Sequence, residues 1–255
     1  MNLRDLQKNW EHMGRNDPLW AILSSSEKMG GKWDTAEFFA LGEQEIVDVM
    51  KYVESLGVDP ARQRALDFGC GVGRLTQPLA NYFERVDGVD IAPSMIEQAR
   101  TYNRHGDRVE YHLNVSDNLE LFADGSFDFI YTNITLQHME PRHAKNYIKE
   151  FLRILTRNGV LVFQLPSELQ GSERPPESSA KRLIRHCAPQ VVIDLYHRVK
   201  WGGLPHMEMH GIRREDLVRF LEQHGAIAID VAADHSAGDE WLSFRYCVRK
   251  SPLMR

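Results

Sequence analysis

Residues 65–76 read ALDFGCGVGRLT, which sets Asp67, Gly69, Gly71 and Gly73 at every second position after a short apolar run. A strand that enters a glycine-rich turn and then a helix brings bare N–H groups and the positive end of the helix up to a ligand. Two ligand classes compete for such a loop. A dinucleotide fingerprint needs GxGxxG, with a third glycine packing helix against strand; counted from Gly69, that position is Arg74. A carboxylate two residues before the first glycine is ill suited to a pyrophosphate and suits a ligand with an amino group or a cation. Cys70, inside the loop, reads as a small packed side chain. A second carboxylate, Asp90, closes the next apolar run 23 residues after Asp67. Its plainest role is a helix N-cap, since Pro93 and Ser94 follow.

The histidines are the other groups with chemistry to offer. His138 follows the fourth apolar run, at the carboxyl edge where ligands of such sheets gather. It is a candidate general base, and a structural contact to ligand or backbone is the alternative. His206, Glu208 and His210 form HMEMH. Histidines four apart can share a helix face and bind a metal, but Pro205 and Gly211 bracket them and no third ligand is obvious. No metal is therefore expected, and His206 and His210 are candidate substrate contacts or solvent-facing residues. Trp33, Phe38 and Phe39 either cover the ligand or form the core of a cap.

The elements that must position these groups follow from the periodicity. Leu3, Leu6, Trp10 and Met13 recur at helical spacing, and Gly14 stops the pattern. GGKWDTAEFF (30–39) reads as irregular. Ile46, Val49, Met50, Val53 and Leu56 mark an amphipathic helix that Gly57 ends. From residue 64 strands alternate with helices: strands at 65–68, 85–90, 109–113, 127–133 and, after Asn158-Gly159, GVLVFQL; helices at 74–83, from 93, and at 142–155. Such alternation with near-continuous apolar strands predicts a parallel sheet covered on both faces. Residues 166–211 break the rhythm with a polar, Pro-Pro-containing stretch and one helix around Val191–Val199. A helix ending at Gly225 and two closely spaced strands complete the chain.

DFGCGVG resembles the first motif of the class I, Rossmann-like, S-adenosylmethionine-dependent methyltransferases. Asp90 with IAPSMIEQAR, NVSDNL after the third strand, FADGSFDFIYTNITLQHM around the fourth and LTRNGVLVFQLP at the fifth are similar to its later motifs, in order and at matching intervals. The resemblance covers residues 60–165 closely and 212–249 by topology. It implies an α/β doubly wound, seven-stranded, mostly parallel sheet of order 3-2-1-4-5-7-6, with helices on both faces and the last strand antiparallel. It also implies S-adenosylmethionine as cofactor and S-adenosylhomocysteine (SAH) as product. Asp67 and the loop residues Gly69, Cys70, Gly71 and Gly73 would then meet the methionine end, where Arg74 either contacts the carboxylate or faces solvent. Asp90 would accept both ribose hydroxyls, Ile91 and Met95 would lie near the adenine, and Asn133 and His138 would stand beside the methyl group. The family often places an Asp on the adenine amino group; Asn114 or Val115 stands there in this chain, so adenine contacts fall to backbone at Val115 and Ser116.

Four segments result: an N-terminal helical cap (1–60), a cofactor-binding core (61–165), an insertion acting as a substrate lid (166–211) and a C-terminal completion of the sheet (212–255). The expected function is methyl transfer to a small-molecule acceptor, with oxygen favoured because His138, His206 and His210 could deprotonate a hydroxyl. A small polar metabolite, such as a sugar or a natural-product intermediate, suits the polar and aromatic insertion. N- or C-methylation, or cofactor binding without turnover, are the alternatives. Arg74 and Asp67 disfavour a nicotinamide dehydrogenase. A net charge of −5, and TNIT where base-flipping amine methyltransferases carry an NPPY-type tetrapeptide, argue against a nucleic-acid substrate. The three cysteines lack disulfide or zinc spacing, and no run is long enough to cross a membrane. A cytoplasmic monomer or homodimer with no membrane partner is expected.

Overall fold

The structure is a computed structural model that describes residues 2–170 and 207–251. The chain runs through α1 (Leu3–Asn16), α2 (Pro18–Ile22), α3 (Thr35–Ser55), β1 (Arg64–Phe68), α4 (Thr76–Leu79), β2 (Arg85–Asp90) and α5 (Pro93–Tyr102). Then follow β3 (Val109–Leu113), β4 (Phe127–Thr132), α6 (Pro141–Ile154), β5 (Leu155–Leu169), α7 (Arg214–Gln223), β6 (Ala226–Asp234) and β7 (Trp241–Lys250). One sheet holds all seven strands in the order β3-β2-β1-β4-β5-β7-β6. β1 to β5 pair in parallel, and β7 runs antiparallel to both β5 and β6. The fold class is therefore the expected one.

Side-chain alternation along the strands builds two cores, one on each face. Leu66, Phe68, Ile130, Leu161 and Phe163 face a layer containing Tyr147, Ile148 and Phe151 of α6 and Leu217 and Leu221 of α7. Ala65, Phe129, Tyr131, Val160 and Val162 face Ile46, Val49 and Val53 of α3 and Ile96 and Ala99 of α5. Because both faces are covered, the strands read as apolar runs rather than as an alternation. A third cluster, with Met13, Phe38, Phe39, Val72 and Met95, fastens the N-terminal helices to the loop after β1 and to α5.

Several local expectations shift. Gly14 does not end α1; it is buried within it, where a Cβ would stand 2.5 Å from Ser94 Oγ and 3.2 Å from Met95 Cγ. Here the glycine permits close helix packing, and Gln98 Nε2 donates to its carbonyl at 2.9 Å. The stretch 30–39 is irregular only at first, since the Asp34 carboxylate accepts the Glu37 N–H at 2.8 Å and starts α3 at Thr35. Of the helix expected over 74–83, only Thr76–Leu79 is regular. β5 starts at Leu155, carries Asn158-Gly159 through a register shift against β4, and continues past 165 by pairing Pro166 with Ser243 and Leu169 with Trp241. The expected insertion helix at 191–199 and His206 lie outside the described residues.

Candidate active site

The loop after β1 is tied to β2 before any ligand arrives. Gly69 N–H and Cys70 N–H both donate to the Val89 carbonyl, at 2.8 and 3.0 Å. Gly69, Gly71 and Gly73 have φ of +78, +52 and +86°, a region closed to most side chains. Their crowding differs in cause. A Cβ on Gly69 would run into the Thr135 side chain, one on Gly71 would stand 2.5 Å from Ile22 Cδ1, and one on Gly73 would run into the Tyr111 hydroxyl. Gly69 and Gly71 thus keep the backbone bare beside the cleft, whereas Gly73 lets the loop settle on β3.

Asp90 ends β2 and is bound into this loop. Its Oδ2 accepts the Gly71 N–H and its Oδ1 the Ala92 N–H, each at 2.9 Å. Burial raises its pKa, and the backbone donors of Ala92, Gly71 and Ile91 oppose that rise. Each oxygen keeps a lone pair after one bond, so the carboxylate can accept from two further hydroxyls. Asp67 is placed differently. It is 1% exposed, accepts the Thr76 hydroxyl at 2.6 Å, and is pushed up to about 7 by burial. It braces the loop from beneath and does not reach the cleft.

The cleft itself has a volume of about 690 Å³ and lies over the carboxyl ends of β1, β2 and β4. Gly69, Cys70, Gly71, Arg74, Asp90, Ile91, Met95, Asn133 and His138 all line it. Asp67, Gly73, Val115 and Ser116 do not. Val115 is 53% exposed, and Asn114 lines the cleft in its place. The Asn114 amide donates to the Ser116 and Asn118 carbonyls at 3.3 and 2.9 Å, which curls the loop after β3 around it. Burial pushes the Cys70 thiol well up, so it stays protonated.

Arg74 is 3% exposed and pairs through Nη2 with Glu45 Oε2 at 2.9 Å, while its Nε has no partner. A buried guanidinium nitrogen without an acceptor is costly and fits a ligand that brings a carboxylate. Glu45 was not foreseen from the sequence. The signal was present in α3: Gly42, Glu45, Ile46 and Val49 follow i, i+3, i+4 and i+7, which sets one carboxylate on an otherwise apolar face.

His138 can be assigned a tautomer from its neighbours. Ile134 N–H donates to Gln164 Oε1 at 3.2 Å, so the Gln164 amide nitrogen donates to Gln137 Oε1 at 3.1 Å and Ser243 Oγ at 2.7 Å. Gln137 Nε2 then donates to His138 Nε2 at 3.3 Å, which leaves the proton on Nδ1, donating to the Glu208 carbonyl at 3.1 Å. Burial lowers His138 to about 4. The imidazole is neutral with both nitrogens engaged, and Trp10 packs against its ring edge-on at 5.3 Å. This bond and one from His210 N–H to the Gln137 carbonyl, at 2.7 Å, dock residues 207–211 beside the cleft. Met207 and Met209 line the cleft; Glu208 and His210, which alternate with them, do not, and His210 Nε2 meets Glu208 Oε2 at 3.2 Å.

α1 and α2 close the remaining sides. The Glu11 carboxylate accepts the Ser94 N–H at 2.9 Å, at the start of α5, and Leu6, Trp10, Trp20 and Leu23 line the cleft together with Trp33. Phe38 and Phe39 do not line it; they pack in the cluster that joins the N-terminal helices to Val72, Ala92 and Met95.

A seven-stranded sheet with β7 reversed, a glycine loop after β1 and an acid closing β2 define a class, and residues 65–159 match the methyltransferase domain family. Over these residues the chain carries a methyltransferase domain, set in a sheet of the Rossmann-like methyltransferase order. It is 33% identical over 91 residues to a ubiquinone biosynthesis O-methyltransferase of Xanthomonas axonopodis pv. citri, a match spanning 35% of this chain and 38% of that protein. It is 32% identical over 139 residues to the O-methyltransferase cnsE of Penicillium expansum, spanning 51% and 50%. The chain thus spans half or less of the length of these relatives. In fold it is similar to the magnesium protoporphyrin IX methyltransferase of Synechocystis PCC 6803 with bound SAH, with a TM-score of 0.62 at 18% identity over 98% of this chain and 100% of that one. Among the described residues, no helix is long and apolar enough to cross a membrane.

Proposed function

We propose that this protein transfers the methyl group of S-adenosylmethionine to an oxygen of a small, apolar, ring-bearing acceptor. The observation that carries the proposal is the junction of Gly71 and Asp90 at the mouth of the cleft. A bare backbone lets a nucleoside approach, and a carboxylate with spare lone pairs stands ready for its ribose hydroxyls. Bound there, the cofactor supplies an activated methyl group on a sulfonium, which is its own leaving group. The protein's work is then alignment and exclusion of water, and alignment can account for roughly 7–11 kcal/mol of such a barrier. Asp90 holds the sugar, Arg74 the carboxylate end, and Ile91, Met95 and Asn114 bound the base.

Oxygen as the acceptor atom draws support from the two relatives named as O-methyltransferases. The acceptor's character draws support from the cleft. Trp10, Trp20, Trp33, Met139, Met207 and Met209 on its wall favour an apolar ring over the sugar expected from the insertion's composition. Tryptophan offers a large rigid face and methionine an adaptable one.

Calorimetry with SAH, followed by turnover of S-adenosylmethionine against matched panels of hydroxylated aromatics and free hexoses, tests both parts. SAH binding together with turnover confined to the aromatics is expected. No heat with SAH removes the methyltransferase proposal, and turnover confined to the hexoses removes the apolar acceptor.

A further inference from the structure

Glu45 lies on α3, which packs against one face of the sheet, yet its carboxylate collects donors from two separate walls of the cleft. Oε2 pairs with Arg74 Nη2 at 2.9 Å, from the segment after the glycine loop. Oε1 accepts the Tyr131 hydroxyl at 2.9 Å and Asn133 Nδ2 at 2.8 Å, from the end of β4. Arg74 and Asn133 line the cleft, and Glu45 does not. The packing leaves Arg74 little freedom: the Gly42 Cα faces its backbone, where a Cβ would stand 2.7 Å from Arg74 Cγ, and Phe38 lies 6.0 Å beneath its guanidinium. Asn133 is held on its other side as well, since its Oδ1 accepts the Ser236 hydroxyl at 3.2 Å.

We infer that Glu45 is a positioning residue that turns Arg74 into a subsite for the amino-acid end of the cofactor and ties that subsite to Asn133 beside the reacting centre. The inference rests on the methyltransferase proposal above and adds to it a residue outside every recognised motif. Its physical basis is charge and geometry. A buried guanidinium alone is costly, and a paired one can be kept in place with donors to spare. Glu45 supplies the countercharge from behind, on Nη2, and leaves Nε without an acceptor. An incoming carboxylate completes a set of bonds that Glu45 has already aimed. Losing Glu45 frees Arg74 to swing or to seek another anion, so the cost falls on ligands that carry the amino-acid moiety.

The test compares two ligands that share the nucleoside. SAH carries the carboxylate and ammonium, and 5′-methylthioadenosine lacks both. Glu45→Gln keeps volume and removes the charge. It is expected to weaken SAH binding by about tenfold or more while methylthioadenosine binding stays within about twofold of wild type. Glu45→Asp retains the charge one methylene short and should weaken SAH less than Glu45→Gln does, again without weakening methylthioadenosine; it supplies the comparison of the two ligands if Glu45→Gln does not accumulate as folded protein. A general loosening of the fold would weaken both ligands alike; that result, or unchanged SAH binding, overturns the inference. A wild-type chain that binds neither ligand sinks the underlying methyltransferase proposal instead.

Discussion

The two halves of the cleft are built by different means. On the side of β1 and β2, the ligand surface is bare backbone at Gly69 and Gly71 with one carboxylate, that of Asp90, all within 22 residues of one another in sequence. On the side of β4 and β5 it is side chain, gathered from α1, the turn after β4, Met207 and Met209, and the 236–238 turn. Backbone donors impose spacing, because φ, strand ends and helix starts recur at fixed intervals. Side-chain walls impose only size and polarity, and they can be recruited from anywhere in the chain. The first half is therefore suited to a constant cofactor and the second to a variable acceptor.

The largest expected effect breaks the first half. Asp90→Ala removes the only carboxylate that lines the cleft among its described residues, together with the anchor for the Gly71 and Ala92 N–H groups. Losing charge-assisted bonds to two hydroxyls should weaken SAH about a thousandfold, roughly 4 kcal/mol, measured by calorimetry. A loss below tenfold would mean that the ribose is held elsewhere.

The second prediction addresses the other half, through His138. Its folded pKa is depressed to about 4 from an ordinary value near 6.5. The sign follows: the folded state keeps the ring neutral while the unfolded chain protonates. The associated stability is complete above about pH 6.5 and is lost as pH falls toward 4, by roughly 3 kcal/mol. His138→Asn keeps an N–H for the Glu208 carbonyl and cannot titrate. Its thermal midpoint should therefore fall less than that of wild type between pH 6.5 and 4. Turnover of wild type should show no limb near pH 6.5 assignable to this residue. A limb that disappears in His138→Asn would instead make the imidazole a general base.

The contrast also explains what was legible in the sequence. The Asp67–Gly73 spacing, Asp90 and the strand–helix rhythm are local patterns: the rhythm gave a parallel sheet covered on both faces, and the motifs carried the family resemblance that implied the strand order and the mouth of the cleft. Gly14 and Glu45 were not legible as functional parts, because their meaning lies in contacts with Ser94, Met95, Arg74 and Asn133 across the fold. The same limit applies to His138. Its residue type suggests a base, but its role depends on the amide chain from Ile134 through Gln164 and Gln137. Gly73 shows the reverse case: a motif position whose demand comes from Tyr111, behind the loop, and not from the cleft.

The smallest effect separates the two acids of the first half. Asp67 and Asp90 look alike in sequence, each near a strand end and two residues from a glycine, yet Asp67 faces Thr76 and only Asp90 lines the cleft. Burial raises Asp67 to about 7 from an ordinary carboxyl value near 3.9. A raised acid holds its proton in the folded state while the unfolded chain releases it. Its contribution is complete below about pH 4 and is lost as pH rises through 7. Asp67→Asn should therefore gain on wild type, in denaturant unfolding, as pH increases from 5 to 8, by about 2 kcal/mol across that interval. Its affinity for SAH should stay within about threefold, under ~0.7 kcal/mol, because the side chain acts on the loop and not on the ligand. A pH-independent difference in stability, joined to a tenfold loss of SAH affinity, would return Asp67 to the ligand surface and make the two acids equivalent.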